Sequence, residues 1–333
     1  MRKILVTGGS GFIGSHLVEE LLGRGVDHRS ICLLVPPGDS LKNLPPLGFE
    51  IVVGDVRDKS AVAKAAEGAQ IIYHLAAKTI FEVARRGDYD SVNVQGTQNL
   101  LNVASEHLQK FVLFSSIAVY GLPAYVGPIV NWNETRTKKP SEPYGESKLE
   151  AEKRVIQWHQ LTGQSYTIIR PTTVYGPRDH QGILELYRAI RGHYYLPIGQ
   201  GKNLMDYVFV KDLVRGACLA QVGKQHDSDY ILGCGNPETS SEIARQVAKS
   251  IGMTIASVRI PKLLALGVSY PIAWLGRAFS IKVPLYPNRV KVLSTDCYYD
   301  VSQAKTEIGY RPRTSFADGA KLTGRWLVAN GMI

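Results

Sequence analysis

The apolar run Lys3-Ile-Leu-Val-Thr7 leads without a break into Gly8-Gly-Ser-Gly-Phe-Ile-Gly14, and this junction constrains the fold more than any other stretch. It predicts a buried strand, a glycine turn and then a helix over Ser15–Leu22 that stops at Gly23-Arg24-Gly25. The glycines at 8, 11 and 14 have separate tasks. Gly8 permits the tight turn, Gly11 lets the backbone approach a pyrophosphate, and Gly14 lets helix and strand pack closely. The helix N-terminus behind them offers free N–H groups and the positive end of its dipole to phosphates. A glycine pattern alone is common in turns. Set between a strand and a helix, it predicts a dinucleotide site.

A chain of 333 residues with 44% hydrophobic and 20% charged residues is an ordinary globular protein, long enough for one large core or two unequal ones. The first strand begins at residue 3, which leaves no room for a cleavable signal peptide. Cys32, Cys218, Cys234 and Cys297 show no metal spacing, and this predicts a reducing, cytoplasmic setting. His74, His159, His180 and His193 are scattered, so no metal site is expected. The net charge of +10 favours an anionic substrate, nucleic acid or an anionic membrane surface. No basic stripe interleaved with aromatics accompanies it, which argues against nucleic acid.

Apolar runs at Ile31–Val35, Glu50–Val53, Ile71–Leu75, Phe111–Ser115 and Tyr166–Arg170 alternate with helical stretches near Ser60–Ala66, Val92–His107 and Ser147–Leu161. Such alternation predicts an α/β fold, a doubly wound parallel sheet with helices on both faces. After Gly176-Pro177 the regularity fades, although Tyr230-Ile-Leu232 reads as one more strand. The expected division is a dinucleotide-binding Rossmann domain over 1–178, with about 205–235 returning to it, and a smaller, mainly helical cap over 179–333. The cleft between them, outside the carboxyl ends of the strands, is the expected active site. Lys262 to Arg277 enclose fourteen uncharged residues interrupted by Pro271, too few to span a bilayer. This segment reads first as a core helix of the cap, and second as an apolar lid or interfacial helix.

Tyr144-Gly-Glu-Ser-Lys148 sets a phenol and an ammonium four residues apart at a helix start, and so on one face. Pro140 and Pro143 just upstream suit the helix entry. A free phenol near pKa ~10 is a poor base at neutral pH. A neighbouring cation stabilises the phenolate, so Lys148 is expected to lower the Tyr144 pKa and also to bond ribose hydroxyls. Phe114-Ser-Ser-Ile-Ala-Val-Tyr-Gly121 reads as a strand emptying into a serine-bearing loop. Ser116 there would orient a reacting oxygen for Tyr144, whereas Ser115 reads as the serine that caps a turn. Asp55, in Gly54-Asp-Val-Arg57, stands where an adenine amino group needs an acceptor, or caps the next helix.

Together these residues resemble the extended short-chain dehydrogenase/reductase family, the NAD-dependent epimerase/dehydratase group. The likeness extends over Thr7–Gly14, Gly54–Asp58, His74–Ala77, Asn93–Thr97, Ser115-Ser116, Val119–Gly121, Tyr144–Lys148, Arg170–Pro177 and Asp300–Gly319. It implies a catalytic triad of Ser116, Tyr144 and Lys148. It also implies a cofactor site of Gly8, Gly11, Phe12, Ile13, Gly14, Asp55, Val56, Ala76, Ala77, Tyr144, Lys148 and Pro171, with Asn93 structural. The implied activity is hydride transfer between NAD or NADP and a secondary alcohol or ketone. A nucleotide-sugar 4-epimerase with tightly bound NAD is the alternative, and a silent dinucleotide sensor a third reading that the intact triad opposes.

Departures from the family pattern bear on the substrate. Sugar 4,6-dehydratases carry an Asp-Glu pair after the triad hydroxyl, where this chain has Ile117 and Ala118. Nucleotide-sugar epimerases place an Asn at Thr172 or Thr173 and an Arg at Met205, and both are missing here. The segment Gly199–Val210 and the apolar stretch around Leu263–Trp274 lean towards the 3β-hydroxysteroid dehydrogenase and dihydroflavonol reductase branch. Arg178, Arg188, Arg191 and Lys202 read as solvated surface cations. At the end of the second strand stand Val35-Pro36-Pro37, with Asp39 a few residues late, a solvated loop carboxylate unless it swings in; NAD is favoured slightly over NADP. The expected partners are a small-molecule substrate, a second copy in a homodimer and, weakly, a membrane surface.

Overall fold

The computed structural model describes residues 3–81, 84–223, 227–255, 259–278 and 286–333. Seven strands form its central sheet: β1 (Lys3–Thr7), β2 (Ile31–Val35), β3 (Glu50–Val53), β4 (Ala69–His74), β5 (Lys110–Phe114), β6 (Tyr166–Pro171) and β7 (Asp227–Leu232). In space they lie in the order β7-β6-β5-β4-β1-β2-β3, all parallel. Uninterrupted apolar runs such as Ile31–Val35 follow from this position, because both faces of an inner strand are covered. The edge strand β3 buries only Val52.

Successive residues of β1 supply opposite sides. Ile4 and Val6 join a core with Leu17, Leu21 and Val214. Leu5 joins the other, with Val62, Leu100 and Val155. The first layer is helix α1 (Phe12–Gly23), which packs on the Val210–Val222 helix. The second includes helix α2 (Pro143–Thr162), which Pro143 opens at its first turn and Gly163 closes in a left-handed conformation at φ 71°. The expected helix over Val92–His107 is shorter and begins differently. A π-turn occupies Asp90–Gln95, and the α-helix runs only from Gly96 to Val103.

Strand order reverses between β1 and β4, so the crevice at their carboxyl ends is the topological switch point of the sheet. Beyond it stands a third core of Tyr187, Phe209, Val247, Phe316 and Leu327. A four-stranded sheet links Ile129–Trp132 with Cys297–Tyr299, Leu204–Met205 and Glu238–Thr239. Ile129–Trp132 therefore leaves its sequence neighbours to pair with the last part of the chain.

Helix α3 (Lys262–Ala278) corrects the reading of this segment as a core helix. Its inner face carries the small buried residues Ala265 and Ser269, while Leu263, Leu264, Val268, Tyr270 and Trp274 face out. An uncharged run reads as core by composition. Here the small side chains make the contact and the large ones are left outside.

Candidate active site

A cleft of about 740 Å³ opens at the switch point. Gly8, at φ +70°, turns the chain there, and a Cβ on it would sit 2.8 Å from the Ala76 nitrogen. At Gly14 a Cβ would lie 2.0 Å from the Gly8 carbonyl oxygen, so only glycine allows α1 to approach β1 this closely. Gly11 is different: its added Cβ would meet only the Gly8 oxygen, at 3.3 Å, and otherwise points into open space. It is also the N-cap of α1 and offers no side-chain cap, which leaves the first-turn N–H groups directed at the cleft. That bare cradle fits a dinucleotide pyrophosphate.

Asp39 is exposed, as expected of a loop carboxylate, yet it lines the cleft and accepts a hydrogen bond from Ser10 Oγ. Asp55 also lines the cleft, but Arg57 grips it with Nε and Nη2 at 2.8 and 2.9 Å and holds its pKa below the usual range. The helix cap in that stretch is Asp58, which accepts from the Ser60 and Ala61 nitrogens, and this corrects the capping role allowed for Asp55.

At the far side, Ser116, Tyr144, Lys148 and Pro171 line the same cleft as Phe12, Ile13, Val56, Ala76 and Ala77. Every site residue named from the sequence thus borders one space. Burial pushes the Tyr144 phenol up to about 12, and a hydrogen bond with Ser116 works against that rise. The expected lowering by Lys148 is absent. The Lys148 ammonium instead donates to the Phe114 carbonyl at 2.6 Å, and burial draws its pKa down to about 8 against the pull of Glu152. The turn-capping role expected of Ser115 falls to Ser116, which also bonds Tyr144. Ser116 Oγ accepts from the Ala118 nitrogen and caps the turn at Ile117–Tyr120, while Ser115 Oγ donates to Glu152 at 2.6 Å.

A directed hydrogen-bond chain supports the floor of the site. Thr97 Oγ1 donates to the Asn93 carbonyl at 2.6 Å, so it accepts from His74 Nε2 at 3.0 Å. That leaves His74 Nδ1 as acceptor for Thr7 Oγ1 at 2.7 Å, and Thr7 in turn accepts from the Ala76 nitrogen. Burial, with the charge of Lys148 adding to it, lowers the His74 pKa to about 3, so the ring is neutral. Asn93 is the clasp beside this chain. It bonds both backbone groups of Lys78 and donates to Ser147 Oγ at 2.9 Å, which donates to the Tyr144 carbonyl.

Arg178 is not the solvated cation expected. At φ 73° it reaches back to α1, donating to Ser15 Oγ at 3.1 Å and pairing with Glu19. Burial would raise Glu19, but bonds from His16 and Arg178 hold it at about 2. Thr172 is buried against Asp206 at 2.9 Å, and Met205 borders a separate cavity of about 320 Å³ with Glu238 and Arg313. Glu152 lies outside the site expected from the sequence, yet it follows Tyr144 and Lys148 at the same four-residue spacing on α2, a visible signal of a shared face. Among the described residues no cluster of His, Cys, Asp and Glu could hold a metal ion.

A doubly wound parallel sheet with a bare glycine cradle and a Ser-Tyr-Lys set at its switch point defines an NAD(P)-dependent enzyme. Residues 4–233 match the model of the NAD dependent epimerase/dehydratase family, and the chain belongs to that family. It is 31% identical over 329 residues to the 3-beta-hydroxysteroid dehydrogenase of Mycolicibacterium neoaurum, covering 93% of this chain and 87% of that protein. It is 30% identical over 342 residues to a dTDP-glucose 4,6-dehydratase of Streptomyces niveus, covering 97% and 92%. The crystal structure of the Streptomyces venezuelae dTDP-glucose 4,6-dehydratase, with NAD bound, superposes with a TM-score of 0.78 at 29% identity, over 99% of this chain and 98% of that one.

Proposed function

We propose that this enzyme moves hydride between a nicotinamide and an uncharged secondary alcohol or ketone, in the manner of a 3β-hydroxysteroid dehydrogenase or ketone reductase. One observation carries the reading. The residues that follow Ser116 into the cleft are Ile117 and Ala118, which can neither give nor take a proton. Beside them on that wall Tyr144, bonded to Ser116, offers a proton to a substrate oxygen. One proton carrier serves alcohol–ketone interconversion, while elimination of water needs two more groups.

The bound nicotinamide would supply or accept the hydride. Tyr144 would hold the hydroxyl proton, Ser116 would orient the oxygen, and Lys148, anchored on the Phe114 carbonyl, would bond the ribose hydroxyls of the dinucleotide. At neutral pH a phenol near 12 carries its proton, the form that donates to a carbonyl oxygen during reduction. Gly8, Gly11, Phe12, Ile13, Gly14, Asp55, Val56, Ala76, Ala77 and Pro171 would hold the dinucleotide. NAD is favoured over NADP, because Asp39, tied to Ser10 at the cleft, would repel a 2′-phosphate.

The reading includes the division into a dinucleotide domain over 1–178, with about 205–235 returning, and a cap over 179–333. It also includes a cytoplasmic homodimer with weak contact to a membrane surface. The four cysteines are free, in keeping with a reducing compartment, and among the described residues no helix is long and apolar enough to cross a membrane. The test is NAD(P)H oxidation by the purified enzyme with 3-ketosteroids and aliphatic ketones, together with saturation-transfer NMR on UDP and UDP-sugars. Met205 cannot grip a phosphate as an arginine does, a loss of roughly 1.5–3 kcal/mol, so tenfold to hundredfold weaker nucleotide binding is expected. Tight UDP binding with a nicotinamide retained through purification would instead establish the 4-epimerase alternative.

A further inference from the structure

Between Glu242 and Asp296 the chain contains no acidic residue, while Arg245, Lys249, Arg259, Lys262, Arg277, Lys282, Arg289 and Lys291 all fall within that stretch. Eight of the ten net positive charges of the protein are therefore concentrated in one segment. At its centre is α3, whose polarity is the reverse of a soluble helix. Such a helix normally turns its large apolar residues inward and its charges outward. Here Leu263 is 84% exposed, Trp274 67% and Tyr270 59%, while Ala265 and Ser269 are buried. The exposed patch continues beyond the helix. The Ile198–Ile260 bridge and the bond from the Ile260 nitrogen to the Pro197 carbonyl set Leu196, also exposed, beside the helix start.

We propose that this face docks on an anionic phospholipid surface, with α3 lying in the plane of the interface. This gives the membrane contact of the proposed function a site and a lipid class, and it does not depend on the chemistry of the cleft. A helix of this kind sinks its apolar side chains to the level of the headgroups, where Trp and Tyr are favoured. Cations on its margin then meet lipid phosphates. Arg259, Lys262, Lys202 and Arg191 are exposed, and among the described residues none of the four forms an ion pair with a carboxylate. A second copy docked by the same face would set these like charges against one another around a twofold axis, which disfavours self-association there. Packed elements connect the docked face to the cleft. The Pro287–Leu293 helix packs against both α3 and the Pro123–Val126 turn, Asn288 donates to Tyr125 Oη at 2.6 Å, and Leu122 lines the cleft.

The experiment is flotation of the full-length protein with vesicles of phosphatidylcholine alone or mixed equally with phosphatidylglycerol. The expected result is at least tenfold more protein on the anionic vesicles, most of it released by 0.5 M NaCl. The double substitution Leu263→Ser/Trp274→Ser should lower that binding at least tenfold, with an unchanged circular dichroism spectrum and unchanged nicotinamide dinucleotide affinity. Absence of binding to either vesicle, equal binding to both, or binding unaffected by the double substitution would overturn the proposal. So would a shift from dimer to monomer on size exclusion in the double variant, which would make the face a contact between copies. Turnover measured on the same preparations tests the hydride-transfer reading separately.

Discussion

Glu152 and Arg170, each with a side chain only 1% exposed, form a two-pronged ion pair between α2 and β6, at 2.8 Å through Nε and 3.0 Å through Nη2. The pair also fixes the wall of the cleft, because the same Glu152 oxygen accepts from Ser115 and Arg170 Nη1 donates to Tyr120 Oη at 3.0 Å. Breaking a buried pair by removing one partner leaves an uncompensated charge, at a cost of about 3–5 kcal/mol. Glu152→Ala is expected near the lower end, about 3 kcal/mol, because Asp229 still faces Arg170. Urea unfolding followed by circular dichroism measures it, and a loss below about 1 kcal/mol would mean that the pair contributes no more than a surface bridge.

Tyr144→Phe should leave the ring packing and dinucleotide affinity intact while turnover falls at least a hundredfold, in line with general acid–base contributions of ~10²–10⁴. Steady-state NADH oxidation is the measurement. Turnover within threefold of the parent enzyme would remove Tyr144 from the role of proton carrier.

The glycine loop predicts two unlike outcomes from two similar substitutions. A side chain at Gly11 enters the open cradle, so Gly11→Val should abolish dinucleotide binding by calorimetry and leave the circular dichroism spectrum unchanged. At Gly14 the same atom collides with the Gly8 carbonyl, so Gly14→Ala should lower the thermal midpoint by several degrees even without cofactor. Equal behaviour of the two variants would contradict this division.

His74 makes the stability depend on pH. Its folded-state pKa lies near 3 and its unfolded value near 6.5, so between these limits the unfolded chain binds more protons. Its contribution is complete above about 6.5 and is lost as pH falls towards 3, at about 1.4 kcal/mol per unit. His74→Gln keeps a neutral group at the position. Urea unfolding from pH 7 to 4 should therefore show a slope shallower than that of the parent protein by about that amount, and parallel slopes would show that the ring is charged in the fold.

What was legible in the sequence is what a short stretch encodes by itself. β1, β2 and β3 lie where their apolar runs end, and the glycine loop and the Tyr144–Lys148 spacing lead to one cleft. Contacts between distant segments carried no such mark. Ile129–Trp132 pairs with Cys297–Tyr299, Arg178 returns to Glu19, and Asp39 reaches Ser10, each joining residues with no shared local pattern. The expected lowering of the Tyr144 pKa fails for a related reason. Spacing on a helix gives a neighbour but not the direction of its charge, and the Lys148 ammonium is committed to the Phe114 carbonyl. For α3, hydrophobicity gave the face but not which side of it the protein covers.

The π-turn at Asp90–Gln95 sets a condition on the length of this chain as distinct from its chemistry. Each residue advances an α-helix by roughly 100°. Deleting any one residue of the turn would rotate Gly96–Val103 by about that angle relative to the clasp at Asn93. Leu101 would move into the place of Leu100 and Leu100 into that of Asn99, the half-buried Gln98 and the exposed Asn102 would be forced into the buried places of Thr97 and Leu101, and Thr97 would lose His74. Substitutions here act on one contact at a time, whereas a change of one in residue number acts on all of them together. In this chain the segment is therefore expected to tolerate a change of composition far more readily than a change of length.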